Sequence, residues 1–250
     1  MRDVSAEKGL LAGKRVIVFG GASGAGLAAA KLCASHGAEL VIAGRGVEKL
    51  ETAEKEWAGK LTTYAVDGKD VAAVKSFFAE VGAFDHLVIS AGQTNRGGSF
   101  KDEITDETFR ATFDGKFWVQ ITAAQAGARH ITPGGSITFF SGGANRRALK
   151  GMANIAAVNG AIDAVVPTLA LELAPTRVNS ISPGTMRTTY WTGVPDAQLD
   201  EIMDRVAKTL PVGRVGTAED IANAVLYVLT TGFVNATVVA IDGGLPVATM

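Results

Sequence analysis

Short apolar runs, mostly β-branched, alternate along this chain with longer stretches whose apolar positions recur at helical spacing. The short runs predict strands over residues 15–19, 39–43, 61–66, 86–90, 136–140, 177–181 and 237–241. Most are continuously apolar, as parallel strands covered on both faces are. The longer stretches predict helices over 24–36, 47–57, 71–81, 105–128, 152–173 and 218–229, with Asp70 and Thr217 as N-caps. Strand and helix in alternation imply right-handed crossovers. The expected fold is therefore α/β: one Rossmann-type domain over residues 1–250, a doubly wound parallel sheet of about seven strands with helices on both faces. The least regular stretch, 183–209, holds Pro183-Gly184 and Tyr190-Trp191 and is expected to form a substrate lid with one or two short helices.

Composition narrows the class. With 47% apolar and 20% charged residues, the 250-residue chain can build a large core and is not of the disordered type. Lys plus Arg number 24 against 25 Asp plus Glu, a net charge of -1. That balance offers no footprint for nucleic acid and no polybasic membrane patch. Cys33 is the one cysteine, so no internal disulfide forms, and a reducing cytoplasm is the expected compartment. The first residues lack the long apolar run of an export signal.

Candidate chemistry begins after the first strand. Gly20-Gly21-Ala22-Ser23-Gly24-Ala25-Gly26 has the spacing GxxxGxG between a strand and a helix. Gly20 permits the tight exit, Gly24 a close approach of backbone to phosphate, and Gly26 close packing of the helix. The free N–H groups of the helix start then hold a pyrophosphate. The second strand ends in Gly44-Arg45. An NAD site usually carries an acidic residue there for the ribose 2′-hydroxyl, whereas a guanidinium suits the 2′-phosphate of NADP. NADP(H) is thus favoured over NAD(H); a solvated arginine is the competing reading. Asp67 follows the third strand, either as an acceptor for the adenine amino group or as a loop cap.

The chain resembles the short-chain dehydrogenase/reductase family over essentially its whole length. The resemblance is carried by GGASGAG at 20–26, AGR at 43–45, VD at 66–67, DHLVISAG at 85–92, GGSITFFS at 134–141, LALELAP at 169–175, RVNSISPGTMRT at 177–188, GRVGTAEDIANAVLYVL at 213–229 and IDGG at 241–244. It implies a nicotinamide cofactor, a small-molecule substrate and a homo-oligomer, dimer or tetramer. It also places Ser90, Ala91 and Gly92 beside the adenine ribose, and Pro183, Gly184 and Thr188 around the nicotinamide. Two departures remove bracing hydrogen bonds: Ile89-Ser90 where the family has two asparagines, and Phe19 where it has threonine.

A larger departure concerns catalysis. The family uses a serine, a tyrosine, a lysine four residues later, and an asparagine on the preceding long helix. Counting from the flanking motifs places Gly142 at the serine, Ile155 at the tyrosine, Asn159 at the lysine and Lys116 at the asparagine. No tyrosine occurs between Tyr64 and Tyr190, so no shift of register restores one. Lysine and asparagine stand exchanged, which keeps one ammonium and one amide near the cofactor. Candidate catalytic groups are therefore Lys116, Asn159, Ser141 as a strand-end hydroxyl, and Tyr190 if the lid swings in. Lys116 and Asn159 are also expected to touch cofactor. Arg146, Arg147 and Lys150 form a basic cluster, either a seat for a substrate anion or a solvated loop. His36, His86 and His130 lack ligand spacing, and no metal site is expected. Three functions stay open: an NADPH-dependent oxidoreductase with altered proton chemistry, a non-catalytic NADP(H)-binding sensor or partner subunit, and a lyase or isomerase reusing the pocket.

Overall fold

The computed structural model describes residues 9–57, 61–94, 97–187, 191 and 193–248. Seven strands form one parallel sheet: β1 (Arg15–Phe19), β2 (Glu39–Gly44), β3 (Leu61–Ala65), β4 (Phe84–Ile89), β5 (Ile131–Phe140), β6 (Arg177–Pro183) and β7 (Val238–Ile241). Their order is β3-β2-β1-β4-β5-β6-β7. β1 pairs with β2 on one side and β4 on the other, so the chain reverses direction across the sheet there. The crevice at the carboxyl ends of β1 and β4 is the topological switch point, where such sheets hold ligands.

Strand alternation builds two cores. Val16 and Val18 face α1 (Gly24–Ser35), α2 (Val47–Glu56) and α8 (Ala218–Thr230). Ile17 and Phe19 face α3 (Val71–Val81), α5 (Trp118–Gly127) and α6 (Ala153–Glu172). Each fully buried side chain of this size contributes about 1.5–3 kcal/mol through loss of apolar surface from water. Phe19 accounts for its own departure from the family threonine. It is wholly buried, with ring centroids 6.0 Å from Phe77 and 6.4 Å from Phe78. A short polar side chain there would leave a void among these rings.

Helix ends follow their caps. Asp70 accepts from Ala72 N and Ala73 N at the start of α3, and Thr217 with Asp220 forms a capping box at α8. Arg177, buried on β6, donates to the carbonyls of Val228, Leu229 and Val234, closing the far end of α8.

Three elements differ from the sequence expectation. The helix over 105–128 is not uniform: α4 (Asp106–Thr112) passes into a π-helical turn, Phe113–Phe117, before α5. β5 begins at Ile131 instead of 136. Within 183–209 lies a 14-residue helix, α7 (Asp196–Thr209), longer than the short helices expected. Its buried Leu199 and Met203, one turn apart, anchor an otherwise polar helix.

Candidate active site

The glycine turn sits at the switch point. Gly20 has φ +101°, and a Cβ on it would lie 2.3 Å from Ala91 N. A Cβ on Gly26 would lie 2.3 Å from Ser90 Oγ and 2.5 Å from Gly20 O, so only glycine lets α1 close onto β1 and β4. Gly24, at φ +55°, has nothing within 4 Å of its Cβ position and faces open space. Ser23 occupies the N-cap of α1 without a side-chain cap bond, and the first turn has no acidic residue. Ala22 and Ala25 add no polar group, so the first N–H groups of α1 are left for an anion. Ser90 Oγ is buried without a partner. Ser90 N and Ala91 N both bond Phe19 O, which fixes the floor of the crevice, with Gly92 exposed beside it. These features fit the diphosphate and ribose of a nicotinamide dinucleotide.

Arg45 projects from the end of β2 and is exposed, its Nη2 donating to Gln93 Oε1 at 3.2 Å. Gly44 beside it has no side chain to fill the space facing Ala22. Asp67 is exposed; one carboxylate oxygen accepts from Lys69 N at 3.0 Å, forming the loop cap, and the side chain reaches solvent. Pro183 and Gly184 end β6, where Gly184 N bonds Ile241 O. Thr188 and Tyr190 lie outside the described residues.

The exchanged lysine and asparagine meet. Lys116 lies in the π-turn, and its Nζ donates to Asn159 Oδ1 at 2.6 Å and to Ser141 O at 2.6 Å. π-turns recur at functional sites because the widened ladder redirects side chains. Burial pushes the Lys116 amine down to about 8, against the negative charge of Asp163, which pulls it up. Asn159 is buried on α6. Ser141 reaches Lys116 with its carbonyl; its hydroxyl turns to Ser180 Oγ, 3.2 Å away, as strand alternation requires. Ile155, one turn before Asn159, is buried and apolar.

Gly142, in the serine position, is shaped by the same pair. A Cβ there would lie 2.9 Å from Asn159 Nδ2. The amide therefore occupies part of the space a serine would need.

Sequence reasoning missed a second layer. Asp163, one turn beyond Asn159, accepts from Ser180 Oγ at 3.1 Å and from Asn145 Nδ2 at 2.7 Å. Its only signal in the sequence is the i, i+4 spacing from Asn159 on α6. The basic cluster of the 146–150 loop does not act together. Arg146 faces Asp242 at 3.9 Å, and Arg147 donates to the carbonyls of Leu245 and Ala248. Lys150 alone faces a cavity of about 290 Å³, walled by Gly97, Gly98, Met152, Trp191 and Val194.

A doubly wound sheet with an uncapped, glycine-lined helix start at its switch point is the arrangement that receives a dinucleotide. Comparison with known proteins agrees. The family described as enoyl-(acyl carrier protein) reductase matches residues 20–246. A short-chain dehydrogenase/reductase of Stachybotrys chlorohalonatus is 30% identical over 247 residues, covering 93% of this chain and 96% of that protein. An NADH-dependent enoyl-(acyl carrier protein) reductase of Salmonella typhimurium is 29% identical over 97% of each chain. A solved small-chain dehydrogenase in complex with NADPH superimposes with a TM-score of 0.81 at 34% identity, over 94% of this chain and 99% of that one. The chain belongs to the short-chain dehydrogenase/reductase family of oxidoreductases.

Proposed function

We propose that this protein is an NADP(H)-dependent oxidoreductase that transfers hydride to or from a small carbonyl, imine or activated alkene without a tyrosine acid. The observation that carries this reading is the 2.6 Å contact of Lys116 Nζ with Asn159 Oδ1 at the carbonyl end of β5. The exchange of the two residues has kept an ammonium and an amide in hydrogen-bonded register.

A bound nicotinamide supplies the hydride. Gly20, Ala22, Ser23, Gly24, Ala25 and Gly26 would hold its diphosphate, Arg45 the 2′-phosphate, and Asp67, Ser90, Ala91 and Gly92 the adenosine half. Pro183, Gly184 and Thr188 would frame the nicotinamide end. Arg45 beside a side-chain-free Gly44 supports preference for NADP(H). An ammonium has three donors, and Lys116 uses two on Asn159 and Ser141. The third is left for a ribose or substrate oxygen. The lid over 183–209, with Trp191 as an aromatic wall, would exclude water.

Magnitudes set the substrate class. A positioned acid contributes about 10²–10⁴-fold, whereas aligning reactants removes roughly 7–11 kcal/mol of barrier. An electrophile that needs little protonation, such as an iminium or a conjugated alkene, therefore suits this site better than a plain ketone.

A second reading, a non-catalytic NADP(H)-binding subunit, is favoured by Ile155, whose apolar side chain fills the tyrosine position. A lyase or isomerase would turn over without consuming cofactor. Fluorescence titration with NADPH and NADH, then single-turnover assays with a cyclic imine, an enone and a ketone, separate these. NADPH-selective binding with imine or enone reduction is expected. Binding without any hydride transfer would favour the subunit reading, and binding of neither cofactor would overturn both.

The assembly we infer is a homo-oligomer, supported by exposed Trp118 on α5 and Leu171 on α6. A reducing cytoplasm is the compartment we infer from Cys33, a lone cysteine with no second thiol in this sequence for a disulfide.

A further inference from the structure

Lys116 joins a network of hydrogen bonds, one of them to a main-chain carbonyl, that ties four elements together. Its Nζ bonds Asn159 Oδ1 on α6 and the carbonyl of Ser141 at the end of β5. Ser141 Oγ lies 3.2 Å from Ser180 Oγ on β6. Ser180 Oγ also lies 3.1 Å from Asp163 Oδ1, and Asp163 returns to α6 one turn beyond Asn159. The other Asp163 oxygen is held by Asn145 Nδ2 at 2.7 Å. Apart from Lys116 and Asp163, every side chain in this network is neutral.

We propose that Asp163 is a positioning residue, the counter-charge that keeps Lys116 an ammonium aimed at the ligand. The carboxylate does not bond Lys116 directly. It is held apart from the amine, fixed by Ser180 and Asn145, so it stabilises the cation without occupying its third donor. A direct ion pair would have consumed that donor and closed the site to a ligand oxygen.

The other charges near Lys116 do not compete for this role. On α4, Asp106 and Arg110 pair with each other at 3.6 Å, and Glu107 is exposed. Asp114 in the π-turn is exposed. On the 142–150 loop, Arg146 faces Asp242, Arg147 the C-terminal carbonyls, and Lys150 is exposed. Arg45 is engaged with Gln93. On α6 the remaining acid, Glu172, is exposed at the far end of the helix. Asp163 is the one group whose charge bears on Lys116 among those described.

The proposal rests on the reading above only for what the ammonium serves. Its test therefore has a cofactor-free arm. In ¹³C-lysine NMR of the whole protein, the Lys116 signal is assigned as the one lost in Lys116→Met and followed across pH 6–11. Asp163→Asn, isosteric and able to keep both partners once the Asn145 amide turns its unpaired Oδ1 toward the new amide nitrogen, is expected to move that titration about one unit toward acid. Ser180→Ala removes one of the bonds to Asp163 but leaves its charge, and should titrate as the unaltered protein does. An unmoved Asp163→Asn curve, or an equal shift in Ser180→Ala, would overturn the proposal. In the second arm, NADPH affinity is measured across the same range, and its alkaline fall should shift with the NMR curve. An NMR shift with no NADPH binding at all would leave the role of Asp163 standing and remove the cofactor reading instead.

Discussion

Lys116 and Asn159 lie 43 positions apart in sequence and meet at 2.6 Å, Nζ to Oδ1, between the π-turn and α6. The contact is charge-assisted and enclosed, so it joins stability to function. Replacing Lys116 with methionine leaves Asn159 Oδ1 and Ser141 O without their donor, each a buried acceptor costing about 1–3 kcal/mol. The ligand-facing donor goes with them. NADPH affinity is expected to fall at least about 10-fold, the loss of one charge-assisted bond. Calorimetric titration measures it, and a circular dichroism melt reads the stability change separately.

The Lys116 amine lies at about 8 in the fold against 10.5 for an ordinary lysine. Below pH 8 both folded and unfolded chains hold the proton. Between 8 and 10.5 the unfolded chain binds more protons, so this group's contribution to stability rises with pH through that window. Ligand affinity moves the opposite way, because the ammonium that meets the ligand is lost above 8. Denaturant melts and NADPH titrations at pH 7 and pH 9.5 should diverge in sign, and Lys116→Met should flatten both.

His86 gives an acid-side counterpart. Burial holds its imidazole down to about 4, with Nδ1 2.9 Å from Ser136 Oγ. The unfolded chain takes up this proton first as pH falls below 6.5. Stability present above 6.5 is lost on the way to 4, on the order of 3 kcal/mol at about 1.4 kcal/mol per unit. Urea melts of His86→Gln should lack that part of the acid loss.

Arg45 follows the end of β2, exposed and held only by Gln93 Oε1 at 3.2 Å among the described residues. Arg45→Ala is expected to weaken NADPH by roughly 1.5–3 kcal/mol while leaving NADH nearly unchanged, since only the former carries the 2′-phosphate. Equal weakening of the two cofactors in fluorescence titrations would return Arg45 to the solvated surface.

The exchange of lysine and asparagine is itself testable. Lys116→Asn alone removes the ammonium, and Asn159→Lys alone places two ammonium groups together. Each single variant should bind NADPH poorly, whereas the double variant should recover affinity. With Ile155→Tyr added, ketone reduction by NADPH should appear in a stopped-flow assay. A double variant no better than the singles would show that the groups do not work as a pair.

The sheet was legible because its central strands are nearly continuous apolar runs, as parallel strands covered on both faces are, while the edge strands β3 and β7 are only partly buried. Lys116 and Asn159 were legible as positions by counting from fixed motifs. The π-turn was not, because one widened turn leaves the apolar period of 105–128 nearly unchanged. Nor was the link from Asp163 to Ser180 and Ser141, which joins residues brought side by side only when α6 packs on β6. Arg146 and Arg147 read as a basic cluster because sequence shows neighbours and not partners. Asp242 and the carbonyls of Leu245 and Ala248, close to the C-terminus, engage both.

Gly142 has a consequence for how this site can change over time. Its missing side chain leaves room for an Asn159 amide that Lys116 pins, at 2.9 Å from where a Cβ would stand. A serine introduced at 142 meets that amide first, and a lysine introduced at 159 meets the one already at 116. Each of these two changes is thus uphill while Lys116 and Asn159 remain. Positions 116 and 159 are thus yoked: a change at one is tolerated best when the other changes with it, and 142 is free to follow.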